Sequence, residues 1–190
     1  MFRKDYLFNL PNLLSMSRGL LMPVLFFMVF RLDTMNMKIA FVVLYIFVGL
    51  TDALDGYFAR KYDICSKLGS ELDSYADILY YLGSAVFVYV LAKDALMSSM
   101  PFFIFTLSMF ALEIIVSTMK FKKPLFLHTW LSKFSALWVF VTVILSVFVN
   151  IDTILMITIL LYGISFVENV IIFYLKGEVE PDYKGLIFEK

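Results

Sequence analysis

Five aspartates and a glutamate fall within residues 51–77, TDALDGYFARKYDICSKLGSELDSYAD, of a chain in which 62% of the residues are hydrophobic. Asp52 and Asp55 are three apart, with Gly56 four residues from Asp52 and Ala59 four from Asp55, while Gly69, Asp73 and Asp77 recur every four. Residues three or four apart share a helix face, so each set forms one stripe. Carboxylates in apolar surroundings line a cavity, pair with a cation or do chemistry. Four of them close together repel unless a divalent cation is bound, and an all-oxygen set suits Mg²⁺, Mn²⁺ or Ca²⁺ rather than Zn²⁺. Arg60 adds a fixed positive charge, and metal plus arginine points to a phosphate-bearing ligand. A helix-end position explains one such acid, but not four on two stripes flanked by small residues.

The elements that must position these acids are membrane spans. Mean hydropathy is +0.88, aromatic residues make up 18% and charged residues only 17% of the 190 residues, where a soluble domain carries about 25% charge. Crossing a hydrocarbon core takes roughly 20 apolar residues in a helix. Six such runs are expected, near 13–30, 39–58, 70–92, 101–119, 131–149 and 153–175. The fold class is therefore all-α integral membrane: a six-transmembrane-helix bundle forming one domain over 1–190. A short interfacial helix over about 1–12 precedes it and the tail 176–190 follows it. The opening MFRKDYLFNL never runs apolar for long, so no cleavable signal is expected.

With the N-terminus inside, thirteen Lys and Arg residues are cytoplasmic, against Arg31, Lys38 and Lys93 outside; the positive-inside rule favours that orientation. It places both termini in the cytoplasm and the acids at the cytoplasmic ends of the second and third spans, where two antiparallel helices can face each other. The formal net charge is zero, and the basic face suits lipid headgroups or phosphorylated substrates, not nucleic acid. Cys65 is the only cysteine, so no internal disulfide is possible.

Written out, the stretch is Asp52-x-x-Asp55-Gly56-x-x-Ala59-Arg60, eight residues, then Gly69-x-x-x-Asp73-x-x-x-Asp77. This pattern of eight fixed residues resembles the signature of the CDP-alcohol phosphatidyltransferase family. The resemblance implies that Asp52, Asp55, Asp73 and Asp77 hold two divalent ions, Mg²⁺ or Mn²⁺, against the pyrophosphate of CDP-diacylglycerol. Asp77 is then also the base toward the alcohol acceptor, and Gly56 and Ala59 make room for the nucleotide, with Arg60, Gly69 and Asn12 beside it. It also implies a homodimer in a bacterial or archaeal cell membrane. A second pattern, Pro11-Asn12-x-Leu14-Ser15-x-x-Arg18 followed by Pro23, resembles the start of phosphatidylglycerophosphate and cardiolipin synthases. Its residues also suit helix initiation, capping and snorkelling.

That branch usually carries an Arg-Glu pair in the fourth span, where this chain has Leu112-Glu113. Acceptor binding is therefore expected of Lys133, His128, Lys120 and Arg18, while Lys120, Lys122 and Lys123 at a span end also read as topology signals. Glu113 and Glu168 lie inside spans and are left as cavity-lining or helix-bridging residues. The best expectation for the acceptor is glycerol 3-phosphate, with inositol phosphate, serine or phosphatidylglycerol as alternatives. A UbiA-like prenyltransferase lacks its paired Asn-Asp motif here. A cation transporter would need acids continuing the path across the membrane.

Overall fold

The computed structural model describes residues 9–62, 64, 67–122, 125, 127–177, 179 and 183–186; within its helices the side chains of Arg60, Asp77 and several neighbours lie outside that description. The described residues form helices α1 (Leu10–Val29), α2 (Met35–Lys61), α3 (Lys67–Leu91), α4 (Lys93–Ser98), α5 (Met100–Phe121), α6 (Trp130–Ser146) and α7 (Asp152–Leu175), with no strand. Each of the six apolar runs falls on its own helix to within three residues, and the connection between the third and fourth runs contains the short α4. Four helices are long and apolar enough to cross a membrane: Leu10–Val29, Met35–Ala59, Met100–Phe121 and Asp152–Leu175. Leu82–Leu91 and Trp130–Ser146 are shorter apolar helices. The chain is an all-helical membrane protein whose helices separate into two compact units, Met1–Leu91 and Ala92–Lys190.

In the first unit α1 packs on both α2 and α3. Asn9 caps α1 by accepting from the Asn12 N–H, and Pro11 sits in the first turn, where it forfeits no helical hydrogen bond. Residues 10–12, expected to end an interfacial helix, are instead the first turn of α1; residues 1–8 lie outside the described residues. The buried face of α1 reads Asn12, Ser15, Arg18, Met22, Leu25, Val29, a three-and-four spacing that keeps one stripe inward. It is polar over its first two turns and apolar beyond. The apolar part packs in a core with Phe41, Tyr45 and Val48 of α2 and Phe87 of α3. There the Phe41 and Phe87 rings lie edge to face at 5.3 Å, and the Tyr45 and Ser84 hydroxyls are 2.9 Å apart.

The second unit is assembled around α7, which packs on α4, α5 and α6. Lipid supplies little apolar driving force between helices, so small residues and hydrogen bonds join them. Thr106 of α5 donates to the Ile159 carbonyl at 2.9 Å, and the Thr142 and Thr158 hydroxyls meet at 2.7 Å. Ser132 and Ser165 meet at 2.9 Å, and Asn169 donates to Glu113 at 3.0 Å. Gly163 permits the α5–α7 approach: a Cβ there would stand 2.8 Å from Thr106 Oγ1 and 3.1 Å from the Phe105 ring.

Where it is described, the tail folds back onto the helices of the second unit. The Leu186 N–H donates to Glu168 Oε1 at 3.0 Å, and the Trp130 N–H donates to the Lys184 carbonyl at 3.3 Å. Tyr183 and Leu186 pack on Leu127, Ile172 and Phe173. Glu168, buried in α7, also accepts from Thr129 at 2.9 Å, so one carboxylate ties the tail and the loop before α6 to α7.

Candidate active site

Three of the four aspartates come together in the first unit. Asp52 and Asp55 stand near the C-terminal end of α2 and Asp73 near the start of α3, and each offers a carboxylate oxygen within 4.8 Å of the others. Their surroundings differ. Asp55 is 4% exposed, whereas the side chains of Asp52 and Asp73 are 52% and 42% exposed. Asp52 and Asp55 both accept from the same arginine of α1, but Asp55 is enclosed against that helix while Asp52, on the same face of α2, stays open. Asp77 lies one turn beyond Asp73 on α3; its side chain lies outside the described residues, as does that of Arg60.

The polar start of the α1 stripe meets this cluster. Arg18, 1% exposed, donates through Nη1 to Asp52 and through Nη2 to Asp55 at 2.5 Å and to Asp73 at 2.8 Å. Ser15 Oγ donates to Asp55 Oδ2 at 2.8 Å. Arg18, expected at the acceptor's side, is thus placed among the carboxylates. Ser15, a residue of the second pattern that also suited a helix cap, is a partner of the most buried of them. The signal for both was present in the spacing: Asn12, Ser15 and Arg18 are three apart, and Asn12 is also buried.

Three hard oxygen donors from two helices match what Mg²⁺ or Mn²⁺ requires. The short separation of their oxygens makes the cluster a fit for a divalent ion. Gly56 and Ala59, half-buried on α2, and Gly69, half-buried on α3, border the same stretch. An apolar cavity of about 380 Å³ runs between α1 and α3, lined by residues including Met22, Phe26, Leu82, Gly83 and Phe87. Met22 is one turn from Arg18 on α1.

The residues expected to bind the acceptor belong to the second unit. Lys120 Nζ donates to the carbonyls of Phe173 at 2.6 Å and Tyr174 at 3.4 Å, so it caps the last turn of α7. His128 and Lys133 are exposed. Lys122 ends α5 in the left-handed region with φ 62°, and Lys123 lies outside the described residues.

The sequence profile of the CDP-alcohol phosphatidyltransferase family matches residues 8–166. A CDP-diacylglycerol–glycerol-3-phosphate 3-phosphatidyltransferase of Aquifex aeolicus (strain VF5) is 35% identical over 88 residues, 46% of this chain and 47% of that protein. Its namesake from Rickettsia typhi is 34% identical over 86 residues, 45% of this chain and 47% of that protein. A probable cardiolipin synthase (CMP-forming) of Drosophila melanogaster is 38% identical over 85 residues, 44% of this chain and 24% of that protein. The matched stretch thus spans about half the length of the bacterial relatives or less. No solved structure matches the chain. With the profile covering most of the sequence and the aspartate signature gathered on α2 and α3, the chain belongs to the CDP-alcohol phosphatidyltransferase family.

Proposed function

We propose that this chain transfers a phosphatidyl group from CDP-diacylglycerol to the hydroxyl of glycerol 3-phosphate, giving phosphatidylglycerophosphate and CMP. The observation that carries this reading is the convergence of Asp52, Asp55 and Asp73 from two helices. The names of the bacterial relatives support the choice of acceptor. Two divalent ions, Mg²⁺ or Mn²⁺, fit the donor set of Asp52, Asp55, Asp73 and Asp77. When bound, they supply neutralisation of phosphate charge on the donor and on the departing CMP.

The remaining work falls to this chain's own groups. Asp77 accepts the proton of the acceptor hydroxyl, whose oxygen bonds to the lipid-side phosphorus as the bond to CMP breaks. Gly56 and Ala59 leave space for the nucleotide, with Arg60, Gly69 and Asn12 beside it. The apolar cavity between α1 and α3 suits a lipid substrate. Lys133, His128 and Lys120 are the residues that would receive the acceptor's phosphate. The same reading takes all six long helices, α3 and α6 included, as spans of one homodimeric membrane domain. It puts the aspartates and both termini on the cytoplasmic side of a bacterial or archaeal cell membrane.

The test is CMP release by the purified full chain in CDP-diacylglycerol and Mn²⁺, with glycerol 3-phosphate, inositol phosphate, serine and phosphatidylglycerol each as acceptor. Release with glycerol 3-phosphate that EDTA abolishes is the expected result. Release only with another acceptor corrects the substrate, and no release with any of them overturns the activity.

A further inference from the structure

Arg18 is a cation buried at the centre of a site whose chemistry calls for other cations. Its guanidinium reaches all three described carboxylates at once, through Nη1 to Asp52 and through Nη2 to both Asp55 and Asp73. No other described side chain bridges α2 to α3 through these acids. Without a positive charge there, three carboxylates with oxygens inside 4.8 Å would drive the start of α3 away from α2. The arginine therefore holds the acidic site together in the form observed.

We propose that Arg18 is an exchangeable internal counter-ion: it neutralises Asp52, Asp55 and Asp73 until divalent ions load, and loading displaces its guanidinium from the carboxylate oxygens. This rests on reading the cluster as a divalent-metal site. Two physical facts make the two cations alternatives. Asp55 Oδ2 already accepts from both Ser15 and Arg18, and Arg18 also holds one oxygen each of Asp52 and Asp73, so the lone pairs of those oxygens are committed. A carboxylate lone pair cannot be directed at an N–H and a metal ion together. The guanidinium is always protonated, so it leaves by moving, not by losing its charge. Arg18 is thus a positioning residue whose pairing sets how strongly the empty site resists metal.

Mn²⁺ binding to the purified full chain tests this directly, with free Mn²⁺ read by electron paramagnetic resonance and no substrate present. Arg18→Gln keeps hydrogen-bonding capacity and removes the charge. Its Mn²⁺ affinity should rise at least about tenfold over wild type, the scale of one opposite charge removed at contact distance. Its thermal midpoint in EDTA should fall below that of wild type, and saturating Mn²⁺ should close the gap. Unchanged or weaker Mn²⁺ affinity in Arg18→Gln overturns the exchange while leaving the metal site intact. Absence of saturable Mn²⁺ binding in wild type overturns the metal reading and the exchange with it. Because Arg18→Gln could fail to fold without metal, wild type carrying isotope-labelled arginine supplies a second readout. Mn²⁺ should shift a guanidinium infrared band that Arg18→Lys lacks, and a spectrum indifferent to Mn²⁺ overturns the proposal.

Discussion

Ser15 and Asp55, forty residues apart in sequence, share a buried 2.8 Å hydrogen bond in which the serine hydroxyl donates to the carboxylate. The bond fixes the most enclosed acid of the cluster against α1, so α1 belongs to the site as much as α2 and α3 do.

Ser15→Ala should therefore cost about 1 kcal/mol, since it withdraws a donor from a buried acceptor. That corresponds to a fall of about 2–4 °C in the unfolding midpoint. Ser15→Thr, which keeps the hydroxyl, should hold most of the stability. A midpoint in Ser15→Ala equal to wild type would remove this bond from the account of the site.

Asp77→Asn should separate chemistry from binding. Three aspartates remain to hold metal, so Mn²⁺ and CDP-diacylglycerol binding should largely persist. CMP release should fall by about a hundredfold or more with every acceptor, because the hydroxyl proton has no base. Parallel loss of binding and turnover would reduce Asp77 to a ligand.

Lys120 and Lys133 should respond differently to alanine. Lys120 caps the C-terminal carbonyls of α7, so Lys120→Ala should lower the unfolding midpoint. Lys133 is exposed, and Lys133→Ala should raise the KM for glycerol 3-phosphate about tenfold through loss of a charged phosphate contact. The KM for CDP-diacylglycerol should stay put. An unaltered acceptor KM would take Lys133 out of the acceptor site.

Gly163 and Gly19 make a matched pair. A Cβ at Gly163 collides with Thr106 and Phe105, whereas one at Gly19 meets nothing within 4 Å. Gly163→Ala should lower the unfolding midpoint, and Gly19→Ala should raise it slightly, since helix propensity adds up to about 1 kcal/mol of stability. Equal effects in the two variants would contradict the close α5–α7 crossing.

Gly185 has φ +99°, and a Cβ there would sit 2.8 Å from Glu168 Oε1. Gly185→Val should release the tail, seen as faster cleavage after residue 176 in limited proteolysis. Glu168→Ala should do the same. Wild-type cleavage rates in both variants would show that the tail is held by its apolar contacts alone.

Helix positions and the aspartate cluster were legible in the sequence because each rests on local spacing. The apolar runs gave six helices within a few residues, and the three-and-four steps around Asp55 and Asp73 placed those acids on facing stripes. The partner of Asp55 was not legible, because a serine in a helix's first turns has a local use as a cap and only tertiary packing decides between the two. The same reason hid Asn169 behind Glu113 and the tail behind Glu168, since each pairing joins residues on elements distant in sequence. Lys120 shows the same limit: its charge stood out in the sequence, but the α7 carbonyls that it caps belong to residues more than fifty positions away.

The cross-links along α7 also decide how the second unit can move. Thr158 and Ser165 are tied to α6, the Ile159 carbonyl and Asn169 to α5, and Glu168 to the loop before α6. A slip of one turn, about 5.4 Å, would break every rung together and strand buried polar atoms in a medium without water. α7 has no soft piston coordinate. Motion inside the second unit is then left to bending of whole helices and to the loops at their ends, with α7 as the mast against which it is measured.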